Sequence, residues 1–140
     1  MGKTKKQIFV VGTQRSGTTL LRLIINSHPR IAMSREAGFL MPFLDRKYIN
    51  GISGSTLKDF YKKFLTTQSH ILESYSYYTE FFSKLDPNSE IKLKDLITGL
   101  FESYCRIEGK EIWGNKTPSF TRKIDMLQEL FPDAMFIHIV

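Results

Sequence analysis

The segment from Ile8 to Asn26 constrains the fold more than any other part of the chain. It starts with an unbroken apolar run, Ile8 to Val11, which is typical of a strand covered on both faces in a parallel sheet. Gly12 and Gly17 bound a polar loop in which backbone N–H groups can approach a ligand closely. A helix is predicted from Thr18, and its apolar residues predict a broad buried face: Leu20, Leu21, Leu23, Ile24 and Ile25. Strand, loop and helix N-terminus together predict an anion site, because unpaired N–H groups and the positive end of the helix dipole converge there.

The loop chemistry narrows the choice of anion. The glycine spacing matches the loop of nucleotide triphosphatases, but Thr18 stands where that loop has its lysine. Arg15 is the cation within the loop, which makes magnesium-dependent triphosphate chemistry doubtful and suits a terminal phosphate or a sulfate ester. A glycine turn that binds nothing is the simpler alternative, since many doubly wound domains have one. The cation and the hydroxyls of Ser16, Thr18 and Thr19 argue against it, because packing alone needs none of them.

The composition fits one globular domain over residues 1–140. A net charge of +6 favours anionic partners, but the basic residues are scattered, so nucleic acid is not expected as a partner. A single cysteine, Cys105, excludes an intramolecular disulfide, and no residue spacing predicts a metal site. No apolar run approaches the about 18 residues that span a bilayer, so we expect a cytoplasmic protein.

The remainder of the chain alternates between predicted strands and helices. Strands are predicted at residues 31–33, 112–113 and 134–140, the last one buried with His138 as a core histidine. Helices are predicted over 91–107 and 121–131. This alternation predicts an α/β protein, a three-layer sandwich around a parallel sheet. Aromatic residues between 69 and 85 either belong to the core or form a wall against a sugar or another ring-shaped acceptor molecule.

Two polar loops follow predicted strands, where open α/β sheets place their chemistry. Glu36 lies in the first loop and is either a general base or a structural carboxylate that pairs with Arg35 or caps a helix. Lys116 lies in the second, within Gly114 to Pro118, and either stabilises charge on a leaving oxygen or is a solvated surface lysine. Arg22, one helical turn after the glycine loop, faces either the anion or solvent.

The string GTQRSGTTLL resembles the phosphosulfate-binding loop of sulfotransferases, which use 3′-phosphoadenosine 5′-phosphosulfate as donor. Bacterial and tyrosylprotein-type members have an arginine in this loop, then a helix, His-Pro, a short strand and a glutamate base. Arg15, His28-Pro29 and Glu36 occur here in that order. WGNKTP resembles the second motif of the same enzymes, in which the lysine belongs to the active site. Pro118 occupies the place of a catalytic histidine in the cytosolic phenol and steroid type, which favours Glu36 as the base.

The resemblance implies a P-loop-like fold and transfer of a sulfuryl group to the hydroxyl of a saccharide, lipid, peptide or small molecule. No metal is implied, and the nucleotide product is adenosine 3′,5′-bisphosphate. The implied catalytic residues are Arg15, Glu36 and Lys116. The implied donor-binding residues are Thr13, Gln14, Arg15, Ser16, Gly17, Thr18 and Thr19.

The resemblance covers only the front part of the family's domain. A strand like 134–140 is followed in these enzymes by an Arg-Asp-Pro-Arg-like turn, whose arginine binds the donor 3′-phosphate together with a later serine. The sequence reaches Val140 without them, so we expect it to be truncated or part of a longer protein. Two alternatives stay open, a P-loop kinase or NTPase that uses Arg15 in place of lysine, and a fragment that only binds an anion.

Overall fold

The computed structural model describes residues 7–13, 17–67 and 76–140, and these residues form an α/β structure. Their strands are β1 (Ile8–Gly12), β2 (Ile31–Ser34), β3 (Ile52–Ser53), β4 (Glu90–Ile91), β5 (Ile112–Lys116) and β6 (Met135–Ile139). Their α-helices are α1 (Thr18–Asn26), α2 (Gly54–Thr67), α3 (Ser76–Ser83), α4 (Leu93–Ile107) and α5 (Ile124–Leu130). Short 3₁₀ helices occupy Gly38–Phe43, Arg46–Tyr48 and Pro118–Lys123. The architecture confirms the α/β class predicted from the alternating pattern.

The main sheet has four parallel strands in the order β2-β5-β1-β6. Strands β3 and β4 form a separate antiparallel pair. Phe9 and Trp113 belong to the hydrophobic core on one face of the sheet, where Trp113 packs against Phe101 of α4 with ring centroids 5.2 Å apart. Helix α1 contacts β2, β5 and β1 from the opposite face. The parallel sheet with helices on both faces confirms the predicted three layers.

Helix α4 follows its predicted pattern closely. Its apolar stripe is buried against the sheet and α3: Leu93, Leu96, Ile97, Leu100, Phe101 and Tyr104. In the aromatic segment before it, Tyr78 and Phe82 are core residues, as one of the two interpretations held. Tyr75 and the side chain of Tyr77 lie outside the described residues. No helix of the described residues combines the length and the apolar character that a membrane span needs.

Two strands differ from expectation, β5 in its length and β6 in its burial. Strand β5 runs on through Gly114, Asn115 and Lys116, which the sequence placed in a loop, because these residues pair with both neighbouring strands. Strand β6 is parallel, as predicted, but it is not buried, because α1 packs on β1, β2 and β5 and α4 packs on β2 and β5. His138 is exposed and is therefore not a core histidine.

Helix α1 packs with a different face from the one predicted. Thr18 and Arg22 are buried, whereas Leu20, Leu23 and Ile24 are 63%, 51% and 58% exposed. Arg22 points neither to solvent nor to the glycine loop, because its Nη1 donates to the carbonyl of Met33 in β2 at 2.8 Å. The predicted broad apolar face of α1 was therefore wrong for these three residues, because a hydrogen-bonded arginine occupies the sheet side.

We predict that Gly114→Ala destabilises the fold by about 1–3 kcal/mol, the usual cost of overpacking a core. A Cβ at Gly114 would come within 2.2 Å of Met33 Sδ and 2.8 Å of the Ile8 carbonyl oxygen, and the backbone oxygen cannot move aside. Urea unfolding checks the change. Gly38→Ala is the matched control, since its nearest described atom would be Ser119 Oγ at 3.9 Å, and equal urea midpoints for the two variants would contradict the prediction.

We predict that the free energy of unfolding falls as the pH rises above about 10, and that Tyr104→Phe reduces this fall. Burial raises the pKa of the Tyr104 phenol above its ordinary value, with Glu108 adding to the rise and Arg22 opposing it. The folded state therefore keeps the phenolic proton after the unfolded state has lost it. The stabilisation is fully present below pH 10 and is lost as the pH passes the raised pKa. Unfolding from pH 8 to 11 measures the slope, and equal slopes for both proteins would rule the idea out.

Candidate active site

The site lies at one edge of the main sheet, where parallel strands β1, β2 and β5 all end. The segments that follow them are the glycine loop, residues 35–37 and the turn beginning at Thr117. Ligands of open α/β sheets bind in the crevice outside the carboxyl ends of the strands. The fold thus brings together three predicted segments that are up to about one hundred residues apart in sequence.

The glycine loop has the backbone that its sequence predicts at both described ends. Gly12 and Gly17 have positive φ angles of 148° and 93°. The Thr13 N–H donates to the carbonyl of Ile139 at 3.2 Å and so extends the pairing of β1 with β6. Three predicted donor-binding residues, Gln14, Arg15 and Ser16, lie outside the described residues.

The N-terminus of α1 lies at the site, where Thr19 contacts Lys116. Gly17 is the N-cap and has no side chain to bond the first-turn N–H groups. A Cβ at Gly17 would meet no described atom within 4 Å. Thr18 is buried and Thr19 is exposed, so only the second threonine presents its side chain to the surface. Such a helix start, with its N–H groups and positive dipole, is suited to an anion.

Lys116 and Glu36 form the centre of the site. Lys116 Nζ donates to Glu36 Oε1 at 2.7 Å and to Thr19 Oγ1 at 3.3 Å. The lysine side chain is only 6% exposed, which rules out a solvated surface lysine, whereas the glutamate side chain is 49% exposed. One ammonium group therefore links the loop after β2 with the start of α1.

The arrangement combines a cation, an accessible carboxylate and a helix N-terminus. A half-exposed carboxylate can meet an incoming hydroxyl, and a carboxylate is a suitable proton acceptor. A buried ammonium at a helix N-terminus strengthens the preference for an anion, because charges interact more strongly where water is excluded. Among the described residues no group of three or more His, Cys, Asp or Glu side chains is placed to hold a metal ion.

Sequence reasoning missed the residues on either side of Lys116. Asn115 and Thr117 are 0% and 1% exposed, and both hydrogen-bond to the segment around Glu36. Ser34 is also fully buried and belongs to the same set. The available signal was polar character next to a strand end, but a sequence does not reveal which polar side chains point inwards. His28, in contrast, accepts a hydrogen bond from the Arg30 N–H at Nδ1 near the end of α1, in line with a helix-end role.

Comparisons with known proteins find one family model and a solved structure that this chain resembles. The chain is similar to the crystal structure of sulfotransferase STF1 from Mycobacterium tuberculosis H37Rv, with 17% identity and a TM-score of 0.47. The match covers 99% of this chain and 46% of the other, so the chain spans slightly less than half the length of that protein. No curated protein sequence matches the chain. A family model described as the Sulfotransferase family matches residues 7–140, and the chain therefore belongs to this family.

Proposed function

We propose that this protein transfers a sulfuryl group from 3′-phosphoadenosine 5′-phosphosulfate to the hydroxyl group of an acceptor. The observation that carries the proposal is the contact of Lys116 with both Glu36 and Thr19, in a member of the Sulfotransferase family. The contact supports the proposal, because a carboxylate and a buried ammonium lie next to a helix N-terminus. Cytoplasmic location and independence of metal belong to the same proposal.

The residues at the start of α1 fit the phosphosulfate end of the donor. Gly17 brings no side chain to the start of the helix, and the first turn has backbone N–H groups for anionic oxygens. Thr19 adds a hydroxyl, Thr18 adds its backbone N–H, and Arg15 adds a positive charge from the loop. The proposed donor-binding set is Thr13, Gln14, Arg15, Ser16, Gly17, Thr18 and Thr19. The bound donor supplies an activated sulfuryl group whose bond to the phosphate oxygen breaks during transfer, with adenosine 3′,5′-bisphosphate leaving.

Glu36 acts as the general base. Its carboxylate accepts the proton of the acceptor hydroxyl while the hydroxyl oxygen forms its bond to sulfur. Lys116 and Arg15 stabilise the negative charge that develops on the opposite side of the sulfur, where the bond to the donor breaks. Positioning and electrostatics are sufficient for such an in-line transfer, because no covalent intermediate with the protein is required. The acceptor is a saccharide, a lipid, a peptide or a small molecule.

We predict that Glu36→Gln lowers kcat by at least about a hundredfold, the usual contribution of a general base, and leaves nucleotide affinity nearly unchanged. Initial rates of sulfate transfer to a panel of hydroxyl acceptors give kcat, and calorimetry with adenosine 3′,5′-bisphosphate gives the affinity. Glu129→Gln is a matched control, because Glu129 is also 49% exposed and also forms an ion pair, with Arg46. The assignment fails if the Glu36 variant keeps the wild-type rate, or if both variants lose activity equally.

We predict that Lys116→Met and Arg15→Ala each slow the transfer by about a hundredfold, as expected when a group that stabilises developing charge is removed. Lys47→Met serves as the control, since Lys47 lies over the Tyr48 ring in the 3₁₀ helix Arg46–Tyr48.

The wild-type protein is also assayed in the presence of a chelator, and separately with magnesium and ATP. Transfer that persists in the chelator supports a sulfotransferase, whereas magnesium-dependent ATP turnover would indicate a kinase or NTPase. Nucleotide binding without any transfer would indicate a protein that only binds the anion.

A further inference from the structure

A buried network of polar side chains joins the end of β5 to the loop after β2. Asn115 Nδ2 donates to the carbonyl of Arg35 at 2.8 Å and to Ser34 Oγ at 2.9 Å. Ser34 Oγ in turn donates to the Gly114 carbonyl at 3.1 Å. Both N–H groups of the Asn115 amide are therefore used, and the Arg35 carbonyl, which can only accept, sets the orientation of the amide.

Thr117 completes the network on the other side of Glu36. Its hydroxyl accepts from the Ala37 N–H at 2.8 Å and donates to Asn115 Oδ1 at 2.6 Å. A continuous chain of hydrogen bonds thus starts at the Ala37 amide, passes through Thr117 and Asn115, and ends at the Arg35 carbonyl. Hydrogen bonds in such a chain polarise and strengthen one another in a buried environment.

Three consecutive residues of one segment, 115–117, each bond one of three consecutive residues of the other, 35–37. Asn115 holds the backbone of Arg35, Lys116 holds the carboxylate of Glu36, and Thr117 holds the backbone of Ala37. The bond of Lys116 is to the side chain of Glu36, so it does not hold the backbone of the loop. The two backbone bonds are different, because their side chains are buried and breaking one bond leaves a buried polar group unpaired.

We propose that Asn115 and Thr117 are positioning residues for Glu36. They hold the backbone on both sides of the glutamate, so that a side chain from a surface loop keeps one position against the acceptor hydroxyl. This inference rests on the proposed function, in which Glu36 is the base. Neither residue touches the reacting atoms, and both act only through Glu36.

The test is a double-mutant cycle in the full-length protein with Thr117→Val and Glu36→Gln. Valine has the shape of threonine but removes the acceptor of the Ala37 N–H and the donor to Asn115. We expect Thr117→Val to lower kcat about 10- to 100-fold in the wild-type background, since small displacements of a catalytic group have effects of this size. In the Glu36→Gln background the same change has almost no further effect, because the two residues act as one unit.

Further variants separate positioning from general stability. Thr117→Ser keeps the hydroxyl and restores most of the activity, and the affinity for adenosine 3′,5′-bisphosphate stays the same in every Thr117 variant. Hydrogen exchange at the Ala37 amide becomes faster in Thr117→Val and not in Ser103→Ala. Ser103→Ala is the matched control, because it removes another buried hydroxyl that bonds a carbonyl, that of Gly99 in α4. If Thr117→Val does not fold, Ser34→Ala takes its place in the cycle, with a smaller loss that also disappears in the Glu36→Gln background.

The outcomes distinguish this inference from the proposed function. If the wild-type protein transfers no sulfuryl group, the proposed function fails and the inference fails with it. If the wild type transfers but Thr117→Val keeps full activity, only the inference is overturned. The same holds if Thr117→Val loses the same factor with and without Glu36, since the residue would then act through stability and not through the base.

Discussion

The position of β5 between β1 and β2 is the constraint on which the site depends. Parallel strands end at the same edge of a sheet, so a central strand adjoins the loops that follow both neighbours. The register pairs Ser34, the last residue of β2, with Asn115, and it pairs Val10 of β1 with Lys116, so β5 ends close to the ends of both strands. The edge strand β6 is separated from β2 by β1 and β5, so it does not adjoin the loop with Glu36.

Two neighbouring residues of β5, Asn115 and Lys116, point to opposite faces of the sheet and make different contacts. Successive side chains of a strand point to opposite faces of the sheet. Lys116 accordingly turns towards α1 and contacts Thr19, while Asn115 turns towards the network of Ser34 and Thr117. The lysine ammonium and the positive end of α1 come close together, and Glu36 is the carboxylate that balances them. The ammonium and the positive helix end together carry more charge than the one carboxylate of Glu36, and this favours a further anion at the site.

The predictable part of this protein was the part specified by local pattern. Local pattern alone predicts the helix α4 from its apolar period, the strand β1 from its apolar run, and the turn at the glycine loop from its glycines. Helix α4 and strand β1 lie where the sequence predicted them. The C-terminal part of β5 was harder to predict, because Gly114, Asn115 and Lys116 have the composition of a loop. They extend the strand because their hydrogen bonds go to β1, β2 and the loop around Glu36, none of which is close in sequence. Polar residues that are paired through long-range contacts leave no local periodicity to detect.

Local pattern predicted the existence of helix α1 but not the face that it buries. Periodicity identifies a helix, but it assigns the apolar stripe to the sheet side only when no polar group competes for that side. Here Arg22 bonds the Met33 carbonyl, Thr18 is buried at the anion end, and both face the sheet. Rotating the helix to bury Leu20 and Ile24 would expose Arg22 and break its bond to β2. It would also turn Thr19 away from Lys116, so the orientation that leaves leucines exposed is the one that keeps the start of the helix in contact with the site.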